Sequence, residues 1–169
     1  MAGSTIAQTR RLAIENLKER FVAELDKRRI LSIATLRPDG WPQATIVGYV
    51  NDGTAIYFMI SRESQKFANL NADNRASICI GEDTPDPMAI GGASMAATVA
   101  EVTDRAEQER VTALMFQRYP EYEPMMKDAD VTGMVIMRAI PFVASVLTYE
   151  KGFGHSDLVE LCEAPPAAA

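Results

Sequence analysis

The sequence predicts an α+β fold that is mainly β, with six or seven antiparallel strands, an N-terminal helix and two inserted helical segments. Three observations predict it. Apolar and polar residues alternate in six or seven β-rich runs, tight-turn sequences separate these runs, and the first segment repeats its apolar positions every three or four residues. Strands this numerous in a chain of 169 residues usually close into a barrel, because closure removes their unpaired edges.

An amphipathic helix is predicted from Thr5 to about Arg28. Its apolar residues recur at intervals of three and four, while charged residues fill the rest of each turn. The apolar stripe consists of Ile14, Leu17, Phe21 and Leu25. Because the stripe offers apolar surface to bury, it favours association with a second copy of the chain.

A hairpin and a third strand are predicted next, over residues 30–36, 42–50 and 54–60. β-Favouring residues alternate there between two faces. The turn at 37–40 reads Arg-Pro-Asp-Gly, in which proline presets φ and glycine accepts a positive φ. The turn at 51–53, Asn-Asp-Gly, is equally tight. The three strands should therefore run as a meander.

The second half of the chain continues this mixture of strands and helical segments. We expect a helix over 61–73, strands over 75–81 and 93–102, and a proline- and glycine-rich loop between those strands. The alanines of 93–102 suit a helix equally well by propensity, but Asp104 fits an N-cap and Glu107 the capping-box position, so the helix should start there.

Pro120 should end that helix, and strands over 133–140 and 142–149 should complete the sheet. Pro141 separates these two strands, which indicates a bulge or a corner at that point. Residues 1–163 are thus predicted to form one domain. The Ala/Pro tail, 164–169, is expected to be disordered.

Composition excludes several classes of function. With a net charge of −6 and a pI of about 4.9, a broad nucleic-acid footprint or an anionic membrane partner is disfavoured. No window of about 18 apolar residues could span a bilayer. The polar N-terminus has no apolar stretch typical of a signal peptide, so we expect a cytoplasmic protein.

The cysteines and the single histidine indicate no zinc site. Cys79 and Cys162 lack metal-ligand spacing, and with only His155 beside them they exclude an all-Cys/His zinc site within one chain. Cys79 lies in a strand-like run and is interpreted as a small core residue rather than a nucleophile.

The most informative motif is Ser-Arg-Glu-Ser-Gln-Lys at 61–66, where a strand is predicted to turn into a helix. Either Ser61 or Ser64 can serve as the N-cap, so that the first-turn N–H groups face an approaching anion. Arg62 and Lys66 are four residues apart and should share a face. Cations in a first turn cost about 0.3–1 kcal/mol each unless an anion compensates them, as a phosphate would. The alternative is an ordinary surface helix start with two solvated side chains.

The order of these elements resembles a known family. The hairpin, the NDG turn, the strand YFMI and the segment SRESQKFANLNADNRASICI are similar to the pyridoxamine 5'-phosphate oxidase-like FMN-binding split β-barrel family. The resemblance covers roughly residues 28–161, and the closing YEKGFGH at 149–155 resembles the C-terminal segment of one branch of that superfamily. It implies a homodimer that binds FMN in a groove between its subunits.

The resemblance also implies which residues contact FMN. Lys66, with Arg62 and Ser64, would hold the phosphate, and Thr45 and Ile46 would lie against the isoalloxazine through main-chain groups. The full implied set is Gln43, Thr45, Ile46, Val47, Ile60, Ser61, Arg62, Ser64, Gln65 and Lys66, with Ser94 from the partner subunit.

Two departures from the family pattern bear on the substrate. Gln43 or Ala44 stands where true pyridoxamine phosphate oxidases carry an arginine for the flavin phosphate, and their C-terminal Arg-x-His is replaced here by the segment 151–155, Lys-Gly-Phe-Gly-His. A pyridoxine or pyridoxamine phosphate substrate is therefore not expected. His155 could stack near the flavin or donate a proton to substrate, or it could be an exposed loop histidine.

The leading hypothesis is an FMN-dependent oxidoreductase that uses a small-molecule substrate or an electron donor such as NAD(P)H. In such an enzyme the flavin carries the chemistry and the protein anchors it. The alternatives are a non-catalytic flavin store, sensor or stress protein, a deazaflavin- or haem-binding relative, and a structural dimer with a vacant groove. Haem ligation through histidine is possible only at His155.

Overall fold

A computed structural model of the chain describes residues 2–124 and 131–163, which include three α-helices and eight strands. In chain order these elements are α1 (Ala2–Lys27), β1 (Ile30–Leu36), β2 (Pro42–Gly48), β3 (Val50–Asp52), β4 (Ala55–Ser61), α2 (Gln65–Ala72), β5 (Arg75–Gly81), β6 (Gly91–Glu101), α3 (Arg105–Arg118), β7 (Met134–Thr148) and β8 (Ser156–Glu160). Single 3-10 turns occur at Pro87–Ala89 and Tyr149–Lys151. No helix in these ranges is long and apolar enough to cross a membrane.

The strands form one antiparallel sheet that curls into a barrel. Its order is β2-β1-β5-β6-β7-β4-β3, and β8 also pairs with β7. The two ends of this order, β2 and β3, are consecutive in the chain and are separated only by Tyr49. The first half of this broken strand pairs with β1 and the second half with β4, which brings the two edges of the sheet together. The predicted α+β, mainly β barrel is confirmed.

Tyr119, at the end of α3, holds the break between β2 and β3. Its hydroxyl lies 2.8 Å from both the backbone N and the backbone O of Tyr49, and it also donates to the backbone O of Arg29. The predicted meander is therefore corrected in one respect. The return strand 42–50 is two strands, because the chain must bend at Tyr49 to pass from one edge of the sheet to the other.

The inward faces of the strands and one face of α1 build the main core. Phe21 and Leu25 of α1 are fully buried there and Leu17 packs against them, whereas Ile14 remains 39% exposed. The predicted amphipathic helix is thus present, but its stripe is largely used inside the chain. It leaves little apolar surface for a second copy.

Helix α3 covers the outer face of β3, β4 and part of β7 through a smaller core around Val111. Asp104 is the N-cap, since its carboxylate accepts from the Glu107 N–H at 2.8 Å, as predicted. The carboxylate of Glu107 does not complete a capping box. It instead receives two hydrogen bonds from Arg138, at 2.9 and 3.0 Å, and one from Tyr57 at 2.9 Å, which fastens α3 to the sheet.

Three further outcomes concern the second half of the chain. The segment predicted over 93–102 is a strand, as preferred over a helix. The strands predicted over 133–140 and 142–149 are one strand, β7, with an extra residue at Phe142 where Ala96 and Ala97 face Val143 and Pro141, so the bulge is confirmed without a break. Strand β8 was not predicted. The tail 164–169 lies outside the described residues.

Candidate functional site

The barrel is open between β2 and β4, and we call this opening the barrel seam. Its walls are β2, residues 58–61 of β4 and the first turn of α2. Strand β2 pairs with β1 on one edge, and residues 58–61 pair with β7 on one edge; no described strand pairs with their other edges. Backbone N–H and C=O groups therefore face the seam from two sides, and such groups require partners.

Helix α2 starts at the end of the seam. Ser64 is its N-cap, because its Oγ accepts from the Phe67 N–H at 3.2 Å, and its hydroxyl also donates to the Ser61 carbonyl at 2.7 Å. The Ser61 Oγ accepts from the Glu63 N–H at 3.1 Å. Of the two predicted alternatives, Ser64 is the cap and Ser61 shapes the preceding turn. The first turn of α2 presents N–H groups and the positive end of the helix dipole.

Lys66 lies in that first turn and is buried without a counter-charge. Its side chain is 8% exposed and forms no hydrogen bond or ion pair with any described residue, and this burial lowers the pKa of Lys66 below the usual value for lysine. Partial burial of an unpaired ammonium is unfavourable, since the cation loses part of its hydration and gains no partner among the described residues. An anion placed against Lys66 and the N-terminus of α2 would offset that cost.

Arg62 does not share this position. Its guanidinium forms two hydrogen bonds to the Glu101 carboxylate, at 3.1 and 2.5 Å, and lies 5.5 Å from the centre of the Phe67 ring. The sequence predicts that Arg62 and Lys66 face one anion together. The structure brings only Lys66 to the seam as an unpaired cation, because Glu101 of β6 already neutralises Arg62.

Asn69 joins α2 to both β1 and β2. It is fully buried, and its Nδ2 donates to the Thr35 Oγ1 at 3.0 Å and to the Gln43 Oε1 at 3.1 Å. Its Oδ1 accepts from the Gln65 Nε2 at 2.9 Å. These bonds fix the distance between the helix that carries Lys66 and the free edge of β2.

The predicted residues of β2 divide between its two faces. Gln43, Thr45 and Val47 are half-buried and face inward, whereas Ile46 is 70% exposed on the outside. The Thr45 hydroxyl oxygen is buried and has no hydrogen-bond partner among the described residues. Ile60 of β4 is a core residue, so only its backbone can contribute to the seam.

Ser94 lies outside the seam, on the outer face of the sheet. It belongs to a row of outward-facing residues that are paired across six strands, which we call the outer row. The outer row consists of Ile46, Ser32, Cys79, Ser94, Ser145 and Leu158. Its end residues, Ile46 and Leu158, are large and exposed, and the residues between them are small. Cys79 is thus exposed and is not the core residue that the sequence suggested, because its neighbours Ile78 and Ile80 take the inward positions of β5.

His155 lies at the other end of the same barrel. Its Nε2 is 3.2 Å from the Asp157 Oδ1, and the Asp157 Oδ2 accepts from Lys151 at 2.7 Å and from Arg20 at 3.0 Å. The hydrogen bond from Lys151 contributes most to holding the pKa of Asp157 at about 2. Within the described ranges, no group of three or more His, Cys, Asp or Glu side chains could hold a metal ion.

Within one chain, the structure does not bring His155 and Lys66 together. His155 lies at the end of the sheet where Thr148 pairs with Gly91, because the Thr148 N–H donates to the His155 carbonyl. Lys66 lies near the opposite end, where Thr35, the partner of Asn69, pairs with Ala76. Most of β5 separates these two ends, a length of about 20 Å for a strand of this size. A role for His155 beside a ligand of Lys66 would therefore require a second subunit.

The sequence did not predict two residues of the seam, Thr35 and Asn69. Thr35 is the polar member of the inward series Leu31, Ile33, Thr35 on β1, and it is 3% exposed. Asn69 is a poor helix former in the middle of a short helix, between Phe67 and Leu70. Both are polar residues at positions where the pattern demands apolar ones, which is the signal that could have identified them.

Comparisons with known proteins agree with this architecture. The sequence profile described as pyridoxamine 5'-phosphate oxidase matches residues 17–141. A putative pyridoxamine 5'-phosphate oxidase from Listeria innocua has a similar structure, with 17% identity, a TM-score of 0.65, and coverage of 78% of this chain and 98% of that one. No curated protein matches the chain significantly.

Two other similar structures have different described ligands. A haem-binding protein from Mycobacterium smegmatis has 21% identity and a TM-score of 0.68; the match covers 85% of this chain and only 56% of that one. An FAD-binding protein from Mesorhizobium loti has 15% identity and a TM-score of 0.60, with coverage of 75% and 91%. At these identities the structural likeness shows the fold. Since the profile matches well over half of the sequence, the chain belongs to the pyridoxamine 5'-phosphate oxidase family.

Proposed function

We propose that the chain binds FMN in the barrel seam, as one subunit of a homodimer, and acts as an FMN-dependent oxidoreductase. The observation that carries this proposal is Lys66, a buried cation at the N-terminus of α2 that has no partner among the described residues. A phosphate monoester supplies the missing negative charge and accepts hydrogen bonds from the first-turn N–H groups.

The remaining residues of the seam fit a flavin as well. The free edge of β2 offers backbone donors and acceptors to a planar heterocycle, and the Thr45 hydroxyl has no partner in the part of the chain that the structure describes. Bound FMN would supply hydride and electron transfer, while the protein supplies the phosphate anchor and the walls. Arg62 can bind the phosphate only if its guanidinium leaves the Glu101 carboxylate. Lys66 is therefore the principal phosphate ligand in this proposal.

In this proposal the two subunits contact each other through the outer row rather than through the apolar stripe of α1. A flat, small-residue centre between Ile46 and Leu158 suits the same surface of a second copy, with about 1,000 Å² or more buried in total. In this arrangement the partner's Ser94 would approach the groove that contains the seam.

The first experiment compares Lys66→Ala with Lys27→Ala. Lys27 is exposed and pairs with Glu24 at 2.8 Å, so its removal changes the net charge equally without touching the seam. We expect Lys66→Ala to weaken FMN binding about ten- to a hundredfold in a flavin fluorescence titration, because a charge-assisted contact is worth about 1.5–3 kcal/mol. Equal FMN affinity in the two variants would refute Lys66 as the anchor.

Haem binding is a second candidate function, and His155 is the observation that favours it. The hydrogen bond to the Asp157 carboxylate orients the imidazole, as a carboxylate often does for metal-ligating histidines, and the exposed Phe153 lies nearby in the same turn. One structural neighbour is described as haem-binding.

A single variant separates these candidates. His155→Ala should abolish a haem Soret shift if haem is the ligand, and should leave FMN affinity unchanged if flavin is, because His155 and Lys66 lie at opposite ends of one chain. In the flavin case, stopped-flow reduction by NADH or NADPH should slow in this variant if His155 approaches the ring. Reduction that is slow with every donor would instead support a flavin store or sensor.

A further inference from the structure

A groove lies between α3 and the outer faces of β4 and β7. It consists of two cavities, of about 250 and 440 Å³, which share the side chains of Met59, Met115, Phe116 and Met134. We call the smaller one the apolar cavity, and its lining also includes Gly48, Tyr119 and Tyr122. Because an apolar cavity of about 150 Å³ holds benzene, this one has room for a molecule of about one or two rings.

The apolar cavity lies against the barrel seam. Gly48 is the last residue of β2, and Met59 belongs to residues 58–61 of β4, so each of these two seam walls contributes a residue to the cavity. Lys66 does not line it. A molecule in the apolar cavity would therefore lie beside a ligand bound along the free edge of β2, and would leave Lys66 to the phosphate of that ligand.

The walls of the apolar cavity offer no charge to a ligand. No charged side chain in the described part of the chain lines it. The Tyr119 hydroxyl is already bonded to the backbone of Tyr49 and Arg29. In the larger cavity beside it, Arg62 and Glu101 neutralise each other. A charged ligand would lose hydration in this groove without gaining a partner among these residues, whereas burial of apolar surface is favourable.

We infer that the apolar cavity binds the substrate of the flavin, and that this substrate is an uncharged, largely apolar molecule of about one or two rings. The inference rests on the proposed FMN site, because only a flavin in the seam makes a neighbouring ligand a substrate. Met134 is 38% and Tyr122 48% exposed, and such a substrate would cover both. Methionine side chains adapt to different shapes, so several ring systems should fit.

The first test compares two probes of nearly the same shape, 2-acetylnaphthalene and 2-naphthoate, by equilibrium dialysis against the full chain saturated with FMN. The ketone is uncharged and the carboxylate is charged at neutral pH. Saturation with FMN places a phosphate on Lys66, so that naphthoate does not bind there. We expect the ketone to bind about tenfold more tightly or better. Equal affinities, or tighter binding of naphthoate, would overturn the inference.

The second test compares Met134→Gln with Ile140→Gln. Both residues belong to β7 and are similarly exposed, at 38% and 37%, but only Met134 lines the cavity. Glutamine keeps the length of methionine and adds no charge, so FMN affinity should not change. Met134→Gln should weaken binding of the ketone about fivefold or more, because a polar amide replaces an apolar contact. Ile140→Gln should bind it like the wild type. Equal ketone affinity in the two variants would place the ketone outside the apolar cavity and overturn the inference.

The outcomes separate this inference from the proposed function. A wild-type protein that binds FMN but not the ketone would overturn the inference alone. If FMN displaces the ketone, the cavity holds the flavin ring itself, which overturns the substrate assignment and leaves FMN binding intact. A wild-type protein that binds no FMN would refute the proposed function, and the substrate assignment with it.

Discussion

At the scale of single residues, the seam consists of polar groups that the fold holds at a cost. Within residues 2–124 and 131–163, Lys66 is buried without a counter-charge and the Thr45 hydroxyl is buried without a hydrogen-bond partner. Neither arrangement helps the chain to fold, because each group gives up hydration. Such residues are expected where a ligand completes the interactions, since binding sites often reduce stability in favour of function.

Lys66→Met should therefore stabilise the ligand-free protein by about 0.5–2 kcal/mol in urea unfolding, because it keeps the length of the side chain and removes the buried charge. The destabilisation by Lys66 depends on pH in a definite direction. A lysine whose pKa is lower in the folded than in the unfolded state destabilises the fold at any pH where it is charged in both states. Its penalty falls as pH rises from the folded pKa toward about 10.4, the unfolded value.

The advantage of Lys66→Met should accordingly be largest near neutral pH and should shrink at alkaline pH. Lys27→Met, at an exposed and already paired lysine, serves as the control and should change stability little. A less stable Lys66→Met protein at neutral pH would mean that Lys66 contributes packing or contacts that outweigh its desolvation.

At the scale of elements, the broken strand β2–β3 decides the shape of the site. Tyr49 is fully buried at the break, its hydroxyl donates to the Leu25 carbonyl at 2.7 Å, and its burial raises its pKa to about 12. The Tyr119 hydroxyl bonds both the N–H and the carbonyl of Tyr49, and the Tyr49 N–H also donates to the Arg29 carbonyl at 3.2 Å. Because the break diverts β3 to β4, the free edge of β2 is left facing the seam.

Tyr119→Phe should cost about 1–3 kcal/mol in the free energy of unfolding, since it removes the hydroxyl that bonds the buried carbonyl of Tyr49, while the Tyr49 N–H keeps only its bond to the Arg29 carbonyl. The m-value of urea unfolding should not change, because the fold and its buried area are the same. Tyr122→Phe is a suitable control, since Tyr122 stacks on Tyr119 but is 48% exposed. Equal effects of the two substitutions would contradict the role of the Tyr119 hydroxyl.

At the scale of the whole molecule, the barrel has two chemically different ends and one flat side. Lys66 and Asn69 lie at one end, and the His155–Asp157 pair lies at the other. The outer row runs across the side between them. A homodimer formed through the outer row is the arrangement that could join groups from opposite ends into one groove.

Ser94→Arg should then convert a dimer to a monomer in sedimentation at micromolar concentration, because it places a long cation at the centre of a flat interface. FMN affinity should fall in the same variant if the groove needs both subunits. Gln117→Arg, on the exposed face of α3, should remain dimeric and bind FMN normally. A wild-type monomer at these concentrations would remove the basis for a shared groove.

The sequence by itself determined most of the elements and the strand-to-helix turn that carries Lys66. Alternation, turn residues and caps act over a few neighbouring positions, so β1, β4, α2 and the Pro141 bulge could be predicted from short windows. Strand β8 and the break at Tyr49 could not, because both depend on pairing with residues far along the chain.

Only the tertiary structure decided which side chains belong to the site. The sequence indicates Arg62 and Lys66 equally as ligands of an anion. In the structure, Glu101, 39 positions away from Arg62, neutralises Arg62 and leaves Lys66. Thr35 and Gln43 meet Asn69 only because α2 packs across β1 and β2. Local composition cannot encode such partners, since the free energy of a polar side chain depends on which distant groups the fold places beside it.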